Sequence, residues 1–210
     1  NPDESVTQQK YQELWKDYNN LKATLRQLHE EYAQLSAVRT QLPQAYGGVV
    51  LADVIGTLSS YRHDVVLNKG SNDGIKPGQY VLSSQKNCVV GMILECSERY
   101  AKMRVLTDSQ QSIEIRIVNE IEERDTPGLM VGDGKTACKI KMIKREKKIQ
   151  SGDVVFAAAR PGYLNIPVVV GEVSEVVPDD EEPLLWDITV HPATDMTRLN
   201  DVAVIVIQDF

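Results

Sequence analysis

Large apolar residues recur through the first forty residues at Tyr11, Leu14, Tyr18, Leu21, Leu25, Leu28, Tyr32, Leu35 and Leu42, with neither glycine nor proline between Asp3 and Leu42. The steps alternate between three and four until the last, which passes over Arg39. Leucine fills every d position: Leu14, Leu21, Leu28, Leu35 and Leu42. A narrow stripe of period 3.5 is what a coiled-coil seam requires, whereas a helix lying on a globular core shows a broader face. Such a helix reaches about 48 Å at 1.5 Å per residue, longer than a small domain is wide. The pattern therefore predicts a dimerisation helix within residues 1–45. The a positions weaken it, because Tyr11, Tyr18 and Tyr32 are bulky and Arg39 is charged. In a parallel pair Asp17 at g faces Lys22 at e of the second copy, a contact worth about 0.2–0.5 kcal/mol. A single helix folded back on the rest of the chain stays open as the alternative.

Pro43 and Gly47-Gly48 end the helical pattern, since neither residue type propagates a helix. Residues 46–210 read as short strands: Val49–Ile55, His63–Asn68, Tyr80–Ser83, Val89–Leu94, Lys102–Leu106, Ser112–Val118, Ala137–Ile143, Val154–Ala158, Val168–Val177, Leu184–Val190 and Val202–Ile207. Ser112–Val118 alternates cleanly, with Ile113, Ile115 and Ile117 on one face. Turn signals stand at Asn72-Asp73-Gly74, Pro77-Gly78, Pro127-Gly128, Gly132-Asp133-Gly134 and Pro161-Gly162. Many short strands at this spacing argue for small barrels or a sandwich.

A weak internal repeat sharpens that reading. Ile75-Lys76-Pro77-Gly78-Gln79-Tyr80-Val81-Leu82 aligns with Ile149-Gln150-Ser151-Gly152-Asp153-Val154-Val155-Phe156, at an offset of 74. Each is followed by a valine-rich run with a glycine, Val89-Val90-Gly91 and Val169-Val170-Gly171, at an offset of 80. The glycine marks a bend or bulge in each copy. Two similar β subdomains that swap strands fit this better than one large sheet.

A formal net charge of −7 argues against a nucleic-acid partner, which needs a basic surface. The longest apolar run, Val202–Ile207, is too short to cross a bilayer, and no signal-peptide pattern opens the chain. An anchoring segment upstream of Asn1 is the expectation. Cys88, Cys96 and Cys138 are odd in number, so at least one is free. On one strand Cys88 and Cys96 would lie about 26 Å apart, too far to bridge. All three read as small buried apolar residues.

Catalytic patterns are weak. The histidines, His29, His63 and His191, have no metal-ligand spacing, so no metal or cofactor is expected. His63-Asp64 near Ser59 and Ser60 lacks a nucleophile elbow. Gly134-Lys135-Thr136 is followed by strand-like alternation, where a phosphate loop needs a helix N-terminus. Asp179-Asp180-Glu181-Glu182, between Pro178 and Pro183, reads as a solvated loop. Lys139 and Lys141 alternate with apolar residues and fit an edge strand defended by lysines; lipid headgroups or an acidic partner are the other readings of this basic stretch, which continues to Lys148. Tyr163, Leu164 and Ile166, on a Pro- and Gly-bounded loop, are the candidate partner-binding residues, and capping a barrel is their alternative role.

With these elements in place, the sequence resembles the extracytoplasmic portion of the MreC family of rod shape-determining proteins, from about Val50 to Val206. The carriers are Leu67-Asn68-Lys69-Gly70-Ser71-Asn72-Asp73-Gly74-Ile75-Lys76-Pro77-Gly78, Val89-Val90-Gly91, Val105-Leu106-Thr107-Asp108, Gly128-Leu129-Met130-Val131-Gly132-Asp133-Gly134, Ser151-Gly152-Asp153-Val154-Val155, Ile166-Pro167-Val168 with Gly171-Glu172-Val173, and Arg198-Leu199-Asn200-Asp201-Val202. The family's glycine-rich stretch and Phe-Pro turn are replaced here by Ala157–Tyr163. The resemblance implies a mainly β fold: a coiled-coil helix followed by two interleaved six-stranded β-barrel subdomains, approximately residues 60–135 and 136–200. It implies parallel homodimerisation, further self-association through the β domains, and one upstream transmembrane anchor that places this portion on the outer, periplasmic face of the cytoplasmic membrane. It implies a non-catalytic scaffold of cell elongation, binding and activating a peptidoglycan synthase, with penicillin-binding protein 2 and MreD as partners and MreB as an indirect one. The double barrel is similar in outline to chymotrypsin-like proteases, but no triad is present. A periplasmic adaptor of an efflux or secretion system is the alternative; its coiled coil is usually an inserted hairpin, not a leading helix.

Overall fold

In the computed structural model the described residues are 14–25, 27, 48–59, 62–119, 125–160, 163, 164 and 166–206. They fall in two units, Asn1–Gln41 and Leu42–Phe210. In the first, residues 14–25 and 27 are α-helical. Among the described residues no helix is long and apolar enough to cross a membrane.

Among its described residues the second unit holds twelve strands in two closed barrels. The first barrel contains β1 (Gly48–Ser59), β2 (Arg62–Leu67), β3 (Tyr80–Ser83), β4 (Val89–Cys96) and β5 (Ala101–Val105). The second contains β6 (Ser112–Val118), β7 (Thr126–Gly132), β8 (Cys138–Lys144), β9 (Val154–Ala157), β10 (Val168–Pro178) and β11 (Leu185–Pro192). The chain then returns to the first barrel as β12 (Asp201–Val206), between β1 and β3. Among the described residues, closure leaves no unpaired sheet edge in either barrel.

Side chains turned inward fill the barrels, by strict alternation along β6 and by burial of every residue along β3. Ile113, Ile115 and Ile117 of β6 are buried, while Glu114 and Arg116 face out. Val65, Leu67, Val81, Val90, Met103 and Val204 form the first core, and Ile115, Met130, Ile140, Val155 and Ile188 are buried in the second barrel. Each such side chain contributes about 1.5–3 kcal/mol by leaving water.

The internal repeat is a structural one. Going round each barrel, the order β1-β12-β3-β4-β5-β2 matches β7-β6-β9-β10-β11-β8. Lys76 N–H donates to Gln79 Oε1 at 2.9 Å, and Gln150 N–H donates to Asp153 Oδ2 at the same distance, one position for one. Gly78 and Gly152 have φ of 85° and 96°, the left-handed region that a Cβ disfavours. The β4–β5 ladder skips between Ile93 and Glu95, and the β10–β11 ladder between Val173 and Glu175, again in register. Each repeat is thus five strands, and its sixth crosses to the other barrel: β6 follows β5 but closes the second barrel, and β12 follows β11 but closes the first. The extra residues that lengthen the offset from 74 to 80 lie in the β9–β10 connection.

Three sequence expectations are corrected. A division near residue 135 is displaced, because Ser112–Val118 and Thr126–Gly132 pair within the second barrel, so the boundary falls between β5 and β6. Pro127-Gly128 is not a turn but lies inside β7, opposite Arg116 and Ile115, where a Cβ on Gly128 would press on Ile115, Ile140 and Ile143 at 3.1–3.2 Å. β8 is also not an edge: it pairs with β11 and β7 on its two sides.

Candidate functional site

The most distinctive motif of the sequence is spent on the fold. In Asn68–Gly74 the Asp73 carboxylate accepts from Gly70 N–H at 3.0 Å and from Lys69 Nζ at 3.1 Å, which holds its pKa below the ordinary 3.8. Ser71 and Asn72 N–H donate to the Ser97 and Glu98 carbonyls, tying this turn to the β4–β5 connection. Lys135 and Thr136 sit in the turn before β8, a strand and not a helix. Among the described residues no group of three or more His, Cys, Asp or Glu is arranged to hold a metal ion.

The β9–β10 connection carries the predicted partner residues, and the structure divides them. Leu164 is fully buried and its backbone bridges Arg160, so this side chain belongs to the core; its assignment to a partner surface is corrected. Tyr163 and Ile166 are half-buried. Arg160 stacks on the Tyr163 ring at 4.5 Å, and that ring stands 3.3 Å from where a Cβ on Gly78 of the first barrel would lie. Arg160 and Glu114 also act on buried Tyr80, whose hydroxyl pKa is raised mainly by burial. The loop braces one barrel on the other.

On the N-terminal helix, Leu14, Tyr18, Leu21 and Leu25 are all 62–67% exposed, and so is Trp15, which the heptad stripe omits. Tyr11, Leu28, Tyr32, Leu35 and Leu42 lie outside the described residues.

A further apolar surface, missed in the sequence, crosses β7, β8 and the start of β11. The β8–β11 ladder pairs Ile143 with Trp186 and Ile140 with Ile188, so Lys141 and Met142 together oppose Asp187. This bulge places Met142 at φ 65° and turns it outward, 82% exposed, while Ile143 turns in. A left-handed non-glycine residue costs about 1–2 kcal/mol. Leu129, opposite Lys141, is half-exposed, and Leu184 is 81% exposed. Arg145 fixes the rim: its guanidinium lies 4.7 Å over Trp186, and Nη1 donates to Pro183 O at 3.0 Å. Trp186 Nε1 in turn donates to Lys147 O at 3.1 Å. Charges of both signs adjoin these residues: Lys141 opposes Leu129 and, after the backbone N–H groups of Glu182 and Glu181, helps hold the Asp179 carboxyl below its ordinary pKa, and Lys144 pairs with Leu185. Exposed apolar side chains next to charges, with an ordered Arg and Trp beside them, are the composition of a protein-binding surface. The alternation of β8 gave no sign of it, because a bulge is invisible in the pattern.

Two six-stranded barrels that exchange their closing strands define a double-barrel β module. The model of the family described as rod shape-determining protein MreC, barrel core, matches residues 54–206, and the chain belongs to that family. The cell shape-determining protein MreC of Cereibacter sphaeroides is 25% identical over 171 residues, covering 78% of this chain and 54% of that protein. The Haemophilus influenzae protein of the same name is 27% identical over 103 residues, 49% of this chain and 28% of that one. The chain thus spans about half the length of the first relative and less of the second. In fold it is similar to the crystal structure of MreC from Pseudomonas aeruginosa (TM-score 0.64, 23% identity, 75% of this chain and 99% of that one). It is also similar in fold to a chain of a complex between PBP2 and MreC from Helicobacter pylori (TM-score 0.57, 16% identity, 75% and 98%).

Proposed function

We propose that this chain is the extracytoplasmic scaffold of a rod-elongation machinery. Its helix pairs two copies, and its second barrel holds a peptidoglycan synthase of the penicillin-binding protein 2 kind. The observation that carries the reading is the Leu129–Met142–Leu184 surface on a barrel of MreC fold. The PBP2–MreC complex of a fold relative supports the choice of partner. Tyr163 and Ile166 flank the brace between the barrels and are the second contact proposed. Activation would work by population shift: binding one conformer of the synthase raises its share. Neither step uses a cofactor or a catalytic residue. An upstream anchor, MreD in the membrane and MreB beyond it complete the proposed assembly, on the periplasmic face of the cytoplasmic membrane.

Interferometry between the chain and a purified penicillin-binding protein 2 ectodomain tests this. Binding that Met142→Asp with Leu184→Asp weakens at least about tenfold is expected, the loss of one or two apolar anchors. No binding by the wild-type chain sinks the reading. For the helix, sedimentation should show a weak dimer abolished by Leu21→Asp with Leu25→Asp. A tight dimer that survives deletion of residues 1–45 would place self-association in the barrels instead.

A further inference from the structure

A cleft of about 660 Å³ opens between the barrels, where the chain crosses from one to the other. Val54, Val65 and Val105 of the first barrel and Ala193, Met196 and Leu199 of the returning connection give it an apolar floor. The latter three pack their other sides on the first core, so the floor is fixed. Thr107, from the outgoing connection, and His191, from the end of β11, complete the walls.

The charges at its mouth are placed unevenly. Lys86, from the β3–β4 turn of the first barrel, and Lys135, from the β7–β8 turn of the second, stand on the rim and are exposed. Lys86 Nζ donates one hydrogen bond to Ala193 O at 2.9 Å, which fixes its position and leaves its remaining donors for another acceptor. The one carboxylate of the lining, Asp195, is closed into its own loop: it accepts from Thr197 N–H at 2.9 Å and Thr197 Oγ1 at 2.7 Å, and pairs with Arg198 at 3.4 Å. On a chain of net charge −7 this is a local reversal of sign that draws carboxylates.

We propose that the cleft is a docking site for an acidic peptide segment of a partner protein, an aliphatic side chain on the valine floor with flanking carboxylates on Lys86 and Lys135. The volume is that of a site for a few residues. The hydroxyls of Thr136 and Thr194 on its walls supply partners for a peptide backbone, which a fatty acid or a lipid tail would leave unused. Because both barrels and both connections line it, a segment bound there reads their relative setting. This site is separate from the Leu129–Met142–Leu184 surface and does not depend on it.

The test is a methyl and amide NMR titration of the whole chain with N-acetyl-Glu-Leu-Glu-amide, and with the Gln-Leu-Gln counterpart, up to about 10 mM, a range that reports millimolar affinities. The expected result is saturable shifts at Val54, Val65, Val105 and Met196, with the neutral peptide about fivefold weaker, the scale of two exposed ion pairs. Lys135→Glu should erase that preference, and Thr136→Trp, an exposed change that narrows the mouth, should weaken both peptides. The proposal is overturned by no shifts at the cleft, by equal binding of the two peptides, by cleft shifts that follow protein concentration alone (a second copy as occupant), or by cleft shifts produced by anionic vesicles and not by peptide.

Discussion

Asn119 donates its side-chain amide to both carboxylate oxygens of Asp153, at 3.0 and 3.2 Å. Asn119 directly follows β6, the strand that crosses into the second barrel, and Asp153 directly precedes β9, to which β6 pairs. The same carboxylate accepts from Gln150 N–H in the repeated turn. In the first barrel, Ser84 Oγ donates to the Asp201 carboxylate at the start of β12, so each exchanged strand is pinned by a side-chain bond beside the strand that receives it.

Asp153→Ala removes the acceptor for two donors at a buried position and should lower stability by roughly 2 kcal/mol, the cost of unsatisfied buried groups. Urea denaturation followed by tryptophan fluorescence measures it. A midpoint unchanged from wild type would show that Asn119 and Gln150 find other partners.

Gly91→Ala and Gly171→Ala should each be among the most damaging single changes. A Cβ at these equivalent positions would stand 2.3 Å from Arg104 O and 2.1 Å from His191 O, both backbone atoms of the neighbouring strand. Relief requires the ladder to open, and a loss of more than about 3 kcal/mol, or failure to fold, is expected. Gly152→Ala meets no atom within 4 Å but strains a φ of 96°, so its cost should be about 1–2 kcal/mol. Thermal melts of the three variants rank them.

The cysteines should react in order of exposure. Burial, with Asp133 adding to it, pushes the Cys138 thiol up to about 12, and burial also raises Cys88. Cys96 is raised too, by burial first and Asp73 second, but it is only half-buried. At about pH 8, near the free-thiol value of ~8.5, iodoacetamide should mark Cys96 alone in the folded chain and all three in denaturant. Peptide mass spectrometry reads the sites.

Acid should destabilise the second unit through its turns. Asp73, Asp179 and Asp195 all have pKa values lowered from 3.8, by hydrogen bonds from Gly70, from Glu182 and Glu181, and from Thr197 respectively, with Lys69, Lys141 and Arg198 nearby. A carboxylate lowered on folding stabilises fully above its unfolded pKa, and that stabilisation is lost as pH falls through the lower folded value. Stability should therefore hold from neutral pH to about pH 5 and fall below about pH 4. Asp73→Asn should make that fall shallower. An unaltered profile would show that Asp73 binds protons alike in both states.

The pattern of alternation made most strands readable. Ser112–Val118 has the bounds the sequence predicts, since each face of a half-buried strand is written in every second residue, and so does Tyr80–Ser83, a short run buried at every position and bounded by turn signals. Thr126–Gly132 was not readable, because a proline and two glycines look like turns until an interior too narrow for a Cβ explains Gly128. The repeat showed that there were two units but not which strand closed which, since Ser112–Val118 carries the same alternation whichever barrel it joins. The candidate surface was half legible. The basic run is visible, but the bulge that exposes Met142 depends on pairing with Trp186 and Ile188, far along the chain.

The crossing of β6 and β12 also fixes an order of assembly. The second barrel is complete once residue 192 has been made, but the first stays open until Asp201–Val206 emerges to fill the gap between β1 and β3. During synthesis the first-made strands must wait, with two raw edges, for the last. A ribosome that stalls in the β11–β12 connection leaves a chain with a finished half and a half whose two unpaired edges invite pairing with another chain.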